Sequence, residues 1–203
     1  ANYVYMCGIF VGGATSAVIR DNTILNIIGN TNSLSSLSTT TTSTSPRGID
    51  LPLNDATCTI TRNTITNVQN LNTGGYSAAG IRLASGNSHV VTNNLISGFL
   101  QYENGSTGTF GAYGIYISAG TGHIIDNNSI STRLAGIGNG LSAGENACLK
   151  INVGTSGLII RNNIFEQNFT QFYAAGTYKW CVAMPTQTTL TMNNNAYFIT
   201  PSG

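Results

Sequence analysis

Residues 114–130 read GIYISAGTGHIIDNNSI, and a block of this kind recurs along the whole chain. Each copy opens on a glycine or its substitute and closes on an asparagine, and the copies span 8–22, 48–63, 80–94, 114–128, 148–163 and 180–195. The closing asparagine follows the opening residue by 14 or 15 positions, whereas 17 to 26 residues separate that asparagine from the next opening. One half of the repeat is therefore constant in length, and the variation is confined to loops.

The constant half has the periodicity of β-strands. Apolar residues stand one and three places after each opening, and again three places before and two places after each asparagine; at 114–130 these are Ile115, Ile117, Ile125 and Ile130. A spacing of two puts side chains on one face of a strand, and such a unit buries that face by stacking on copies of itself. We therefore predict an all-β protein, a right-handed parallel β-helix (a solenoid) of about six coils with variable loops on one side. The hand follows from the chirality of parallel crossovers.

The block at 114–130 and the block AGIRLASGNSHVVTNNLI at 79–96 resemble the repeat of right-handed parallel β-helix proteins. That group includes pectate-lyase-like enzymes, phage tailspikes and large bacterial surface proteins. The block MNNNAYF at 192–198 resembles the closing coil of β-helix modules in long secreted bacterial proteins. The resemblance covers essentially the whole chain. It implies the fold and an extracellular or cell-surface location, and it leaves the activity open.

The composition excludes several classes of function. Only 7% of the 203 residues are charged and the net charge is +1, so no basic patch for nucleic acid is expected. No run of 18 apolar residues is present, so we expect no membrane span. We expect residues 1–203 to form a single domain that is a segment or processed piece of a longer chain. The Ser/Thr-rich stretch at 31–46 is expected to be a low-complexity loop.

The closing asparagines predict a ladder of side chains through the stack. Stacked amides can pass hydrogen bonds from coil to coil and satisfy the backbone of the turn. Asparagine also tolerates the left-handed backbone conformation that a sharp bend needs. The ladder residues are Asn22, Asn63, Asn94, Asn128, Asn163 and Asn195. The alternative is a row of exposed amides that binds sugar, and we favour the structural role.

The residues two places after each opening form a stripe that faces away from the core column, and we expect it to point to solvent. It consists of Phe10, Asp50, Arg82, Tyr116, Lys150 and Val182. Pectate-lyase-like enzymes place their substrate groove on this face, so the resemblance makes Asp50, Arg82, Tyr116 and Lys150 candidate catalytic residues. In such a site an Arg or Lys is the base and a second cation holds the uronate carboxylate. We favour the alternative of an Asp50–Arg82 salt bridge flanked by Tyr116 and Lys150.

The seven acidic residues argue against an enzyme that needs paired carboxylates. A glycosidase needs two across one bond, and a calcium site needs several oxygens around one ion, yet no two acids occupy equivalent positions in adjacent coils. Asp126 and Arg161 do, and this predicts an ion pair. His89 and His123 also share a column. We expect stacked turn residues there, with a weak metal site including Cys58 as the alternative, and we expect no resident metal or other cofactor.

Aromatic residues in the segment 98–113 are the candidate ligand-binding group. Phe99, Tyr102, Phe110 and Tyr113 lie there among glycine and serine. They either stack on sugar rings or pack against the flank of the coil.

The four cysteines, Cys7, Cys58, Cys148 and Cys181, follow no metal-binding spacing. The repeat alignment puts Cys148 and Cys181 in columns that face opposite ways, so a disulfide between them would be strained. We expect free thiols, most of them buried.

The two ends of the predicted stack carry no evident capping element. A solenoid normally needs caps, and uncovered strand edges favour pairing, so self-association or a continuing chain is expected at the coil ends. We therefore expect a structural or adhesive module of a secreted or cell-surface protein, which assembles end to end as a filament or binds surface polysaccharide. The alternative is a carbohydrate-active enzyme resembling a polysaccharide lyase; the sequence leaves catalysis open, with the balance against it. Tailspike-like and ice-binding roles are minor alternatives.

Overall fold

The structure is a computed structural model that describes residues 6–30, 45–53, 55–72, 77–101, 111–132, 145–168, 178–185 and 189–200. All regular secondary structure within these ranges is β-strand. The same ranges contain no helix long and apolar enough to cross a membrane.

The chain forms eighteen short strands, three from each copy of the repeat. In chain order they are β1 (Cys7–Phe10), β2 (Val18–Arg20), β3 (Thr23–Gly29), β4 (Arg47–Leu51), β5 (Thr59–Thr61), β6 (Thr64–Asn70), β7 (Ala78–Leu83), β8 (Val90–Thr92), β9 (Leu95–Gln101), β10 (Gly111–Ile117), β11 (Ile124–Asp126), β12 (Ser129–Ser131), β13 (Glu145–Ile151), β14 (Leu158–Arg161), β15 (Ile164–Gln167), β16 (Tyr178–Ala183), β17 (Leu190–Asn193) and β18 (Ala196–Ile199).

Every strand pairs in parallel with the strand three places away in the chain. The first sheet has the order β1-β4-β7-β10-β13-β16, the second β2-β5-β8-β11-β14-β17, and the third β3-β6-β9-β12-β15-β18. Each coil contributes one strand to each sheet, so the six strands of a sheet correspond to six stacked coils. The predicted all-β parallel solenoid is confirmed.

The register stacks the predicted apolar columns. Ile49 pairs with Ile81 and Ile81 with Ile115 in the first sheet. Equivalent columns run through Ile60 in the second sheet and Ile65 in the third. All these side chains belong to one continuous buried core. All coils share this core. A single coil could not bury its apolar side chains without its neighbours.

The register of the last coil differs from the prediction by one residue. Ala147 pairs with Trp180 and Leu149 with Val182, so Cys181 lies beside Cys148. Val182 therefore packs against the core and does not belong to the outward stripe. The prediction was wrong because the last copy lacks the Gly-Ile pair that marks the opening of the first four, and Cys181, not Trp180, occupies that position.

Glycine opens four of the coils because its position faces the interior. A Cβ on Gly80 would lie 2.5 Å from Ile96 Cγ2 and 2.6 Å from the carbonyl oxygen of Gly114. The next residue, Ile81, also lies in the core. Two consecutive residues therefore face inward, and this decides which neighbouring side chains share the opposite face.

Candidate functional site

The asparagine ladder is continuous through all six coils. From Asn22 to Asn195, the Nδ2 of each ladder asparagine donates to the Oδ1 of the next at 2.8–3.0 Å. The backbone N–H of each donates to the same oxygen at 2.9–3.1 Å. Nδ2 also bonds carbonyl groups of its own bend and of the preceding coil, as Asn128 does with Asp126 and Val91. The four inner ladder residues are buried, so these amides hold the coils together and offer no surface for a sugar.

The left-handed residue of the bend is not the ladder asparagine, contrary to the prediction. It is the residue directly before it, and the six positions are Asp21, Arg62, Asn93, Asn127, Asn162 and Asn194, with φ between 52° and 59°. The ladder residue instead turns its amide into the stack. The left-handed residue before each ladder asparagine directs the asparagine amide into the stack. This explains why two polar residues stand together at the bend of most copies.

His89 and His123 stack as predicted, with ring centroids 5.0 Å apart and ring planes 6° from parallel. Nδ1 of each ring accepts a backbone N–H, from Cys58 and His89 respectively, at 3.2 Å. Nε2 therefore carries the proton and lies 3.1–3.2 Å from the carbonyl oxygens of Ser85 and Ala119. Both nitrogens of each ring are engaged by the backbone, so the alternative metal site with Cys58 does not fit this arrangement.

The outer face of the first sheet comprises the side chains that point away from the interior, and it contains the predicted stripe. Asp50, Arg82, Tyr116 and Lys150 lie in register on successive coils, between Phe10 and Ala183. The expectation that the stripe points to solvent was wrong for three of these residues. Asp50 and Arg82 are fully buried and Tyr116 nearly so, and only Lys150 is partly exposed. Strand alternation tells which way a side chain points, but not what lies over it.

Asp50 is the centre of a buried ion-pair cluster. Arg82 Nε and Nη2 lie 2.6 and 3.0 Å from its two carboxylate oxygens. Arg47 Nη1 donates to Oδ2 at 2.7 Å. The Asp50–Arg82 salt bridge is confirmed, and Arg47 is a further partner that the repeat spacing did not predict. It stands three residues before Asp50, and simple alternation would put the two on opposite faces; they share a face because Gly48 and Ile49 both face inward.

A second polar group follows along the outer face. Tyr113 and Tyr116 stack with their ring centroids 5.1 Å apart, and Asn152 donates to the Tyr116 hydroxyl at 2.8 Å. Burial raises the pKa of both hydroxyls, so both stay protonated at neutral pH. Lys150 Nζ lies 2.7 Å from a Glu145 carboxylate oxygen. This pair, about one-fifth exposed, is the part of the stripe that reaches water.

The aromatic group proposed for ligand binding does not form such a site in the described residues. Phe99 lies in β9 and is fully buried in the core, and Tyr113 lies in β10 and is buried on the outer face. Tyr102 and Phe110 lie outside the described residues. The structure instead exposes Tyr178 and Trp180, which stack at 6.1 Å on β16. Their spacing of two on a strand was the available signal.

The cysteines are free, as predicted, and all but Cys7 are buried. Burial, followed by the nearby Asp50 charge, raises the pKa of Cys7 to about 12. Burial likewise raises the pKa of the thiols of Cys148 and Cys181, and the expectation that these two face opposite ways was wrong, because the register puts them side by side. None of these thiols is a ready nucleophile, because the thiolate is the reactive form.

Exposed ion pairs lie elsewhere on the described surface. Arg161 Nε lies 3.0 Å from Asp126, as predicted, and Arg62 holds Asp21 through two bonds of 2.7 Å. No three His, Cys, Asp or Glu side chains of the described residues converge to hold a metal ion. The outer face of the first sheet therefore offers one partly exposed acid–base pair, Glu145 with Lys150, because the Asp50 cluster and the two tyrosines are buried.

Comparison with models of protein families, with curated proteins and with solved structures gives no match, so the function is inferred from this geometry alone.

Proposed function

We propose that this protein is a structural module, a rigid β-solenoid of a secreted or cell-surface protein whose terminal coils associate with further coils. The observation that carries the proposal is the asparagine ladder, which links every coil to the next through buried amides. Ladders of this kind make a stack stiff because each rung is satisfied only in one register. The resemblance to β-helix modules of bacterial surface proteins supports the same role.

The state of the ends supports association. In the described residues β1, β2 and β3 pair on one side only, and so do β16, β17 and β18. Core-column side chains at both ends, such as Ile9 and Leu190, are only partly buried. Strand edges beside apolar surface are a template for further pairing. The direct test is the mass of the native protein by light scattering, together with electron micrographs of the same material. Fixed oligomers or filaments are expected, and a monomer at all concentrations would contradict the proposal.

A polysaccharide lyase is the second candidate, and Glu145–Lys150 is the observation in its favour. Lys150 is partly exposed and lies in register with Tyr116, and an amine and a phenol are groups that can supply the base and the acid of such a reaction. The test is release of unsaturated uronates from pectin, alginate and glycosaminoglycans, with and without calcium. The structural proposal expects none. Release that Lys150→Ala abolishes and Lys179→Ala leaves intact would establish the enzyme.

Adhesion to polysaccharide is a further part of the proposal. Exposed aromatic rings can stack on sugar rings, and the described residues offer such a pair in Tyr178 and Trp180. Trp180→Ala should lower retention on immobilised polysaccharide, whereas Phe10→Ala, which removes an exposed ring at the other end of the sheet, should not. Equal retention of both variants and the unchanged protein would remove this part of the proposal.

A further inference from the structure

The asparagine ladder has a direction, so its two ends differ. Each rung passes its backbone N–H and its Nδ2 forward to the Oδ1 of the next asparagine. Within the described residues, Oδ1 of Asn22 therefore receives no such bond, because no rung precedes it. At the other end, the backbone N–H of Asn195 has no forward rung to meet, although its Nδ2 bonds the carbonyl of Ile160. One end thus presents an acceptor and the other presents donors.

Backbone hydrogen bonds also make the two ends complementary, but here each coil donates to the coil before it. The residue after each ladder asparagine donates its N–H back to the asparagine carbonyl of the preceding coil at 2.8–2.9 Å. The donors are Thr64, Leu95, Ser129, Ile164 and Ala196. Thr23 occupies the same place in the first coil, since it pairs with Thr64, but no described coil precedes it. Within the described part of the chain, the Thr23 N–H and the Asn195 carbonyl oxygen are therefore the unpaired donor and acceptor of this bond.

One outward column of the third sheet is apolar at its two ends and polar between them. On the third sheet the column reads Leu25, Thr66, Ser97, Ser131, Glu166 and Phe198. Leu25 is 52% exposed and Phe198 57% exposed. In the core column beside it, Tyr197 is 49% exposed, although its counterpart Phe165 is fully buried. Among the described residues, fifteen large apolar side chains are exposed, and four of them lie on the first coil and six on the last. The apolar surface is thus concentrated at the two ends.

We propose that copies of this chain stack head to tail, with the last coil of one copy against the first coil of the next in the register of the internal coils. Asn195 of one copy then donates its N–H and Nδ2 to Asn22 Oδ1 of the next. Thr23 of that next copy donates its N–H to the Asn195 carbonyl, and Phe198 packs against its Leu25. This inference rests on the proposed structural function and names its partner, a second copy.

The contact joins two different surfaces, so it does not close into a dimer. Repetition of such a contact gives an open filament. With six coils per copy and about 4.8 Å per coil, the filament should repeat every ~29 Å along its axis. The coils of one copy would continue into those of the next without a break in the core.

Two variants test the contact from its two sides. Asn195→Asp keeps the oxygen that Asn163 bonds, but it replaces the donor amide by a charged acceptor facing the next copy's Asn22. Thr23→Pro removes an N–H that the described chain does not use, at the first residue of an edge strand where proline is tolerated. Each variant should weaken association by about tenfold or more, as expected for a lost hydrogen bond and an unsatisfied group.

Matched controls separate the contact from general effects. Asn93→Asp adds the same charge at an exposed residue of the third coil, and Thr23→Val keeps the N–H of Thr23. Both should assemble like the unchanged protein. A mixture of Asn195→Asp with Thr23→Pro provides a test of polarity, because each variant retains one intact end. The mixture should form a heterodimer of one defined mass and no filaments.

The outcomes separate this inference from the proposed function. A monomeric unchanged protein would overturn both. Assembly of the unchanged protein that neither variant weakens, or a filament without the ~29 Å repeat, would overturn the head-to-tail register alone. Circular dichroism and thermal melting of each variant monitor its fold. If the Asn195→Asp variant unfolds, the proposed contact is tested by comparing the association of Thr23→Pro with that of Thr23→Val.

Discussion

At the scale of single residues, the stack of coils depends on buried polar side chains. Their hydrogen bonds form only when the coils are stacked in the observed register. An inner ladder asparagine such as Asn128 accepts two hydrogen bonds from Asn94 and donates to three acceptors. The histidines of the turn use both ring nitrogens in the same way. A buried polar group left without its partner costs far more than the partnered bond contributes. Substitutions of these asparagines and histidines should therefore lower the stability of the fold strongly, even where few atoms are removed.

Asn128→Ala should lower the free energy of unfolding by about 2–4 kcal/mol, because it leaves the buried N–H of Asn94 without an acceptor and removes one of the three acceptors of the Asn94 Nδ2. Urea denaturation measures the loss. Asn22→Ala is the matched control at the end of the ladder, where no preceding rung donates to it, and it should cost clearly less. Equal losses would contradict a directional ladder.

Acid should weaken the fold through the histidine column. Burial lowers the pKa of His123 from the ordinary value of 6.5 to about 4 and also lowers that of His89. The unfolded chain then binds a proton more readily than the folded one. The stability that neutral His123 contributes is full above about pH 6.5 and is lost as the pH falls toward 4. The shift corresponds to roughly 3 kcal/mol.

Unfolding measured from pH 7 to pH 4 tests this, with His123→Gln as the comparison. The variant should show a shallower loss of stability over this range than the unchanged protein. Identical pH profiles would show that His123 does not titrate between the two states.

At the scale of strands, the first sheet carries chemistry on the face that turns away from the core. Asp50 on β4 joins Arg47 of its own strand to Arg82 of β7. Because Gly48 and Ile49 both face inward, the strand presents Arg47 and Asp50 on the same side. Because the cluster is buried, it links adjacent coils and is not accessible to a substrate. Removing one member of a buried pair is costly, because the remaining charges lose their partner under cover.

Asp50→Asn should lower the free energy of unfolding by about 3–5 kcal/mol. It removes the carboxylate that Arg47 and Arg82 share. Asp21→Asn breaks the exposed pair with Arg62 and should cost much less than Asp50→Asn, since surface ion pairs contribute little. Chemical denaturation of both variants under the same conditions compares their losses of unfolding free energy. A small loss for Asp50→Asn would mean that the arginines are satisfied without it.

At the scale of the whole molecule, the fold is one-dimensional. Each coil contacts its two neighbours, so stability accumulates along the stack and is lowest where a neighbour is missing. The terminal coils are those places in the described chain, with Phe198, Tyr197 and Leu25 exposed. Any partner that completes an end stabilises the whole.

The melting temperature should therefore rise with protein concentration, because association that favours the folded state shifts unfolding by mass action. Thermal melting across a hundredfold range of concentration measures this. The Thr23→Pro variant should show a smaller rise than Thr23→Val. A melting temperature that is independent of concentration for the unchanged protein would contradict association through the folded ends.

Much of this molecule follows from spacing in the sequence. Six copies with apolar residues two apart are enough to predict a parallel stack, since no single copy can bury its own face. The ladder asparagines, the stacked His89 and His123, and the Asp126–Arg161 pair were predictable because stacking brings equivalent positions together. The prediction for the last coil was one residue out because its opening lacks the glycine and isoleucine that mark the first four copies.

The sequence by itself determined the columns, and only the tertiary structure decided which of them meet water. Spacing encodes the side of a strand on which a residue lies, because the backbone alternates locally. It does not encode what lies over that side. Asp50, Arg82 and Tyr113 are buried and Phe99 belongs to the core, and no local spacing predicts this burial. Arg47 joined the cluster for a similar reason, since only the packed interior shows that two consecutive residues face inward.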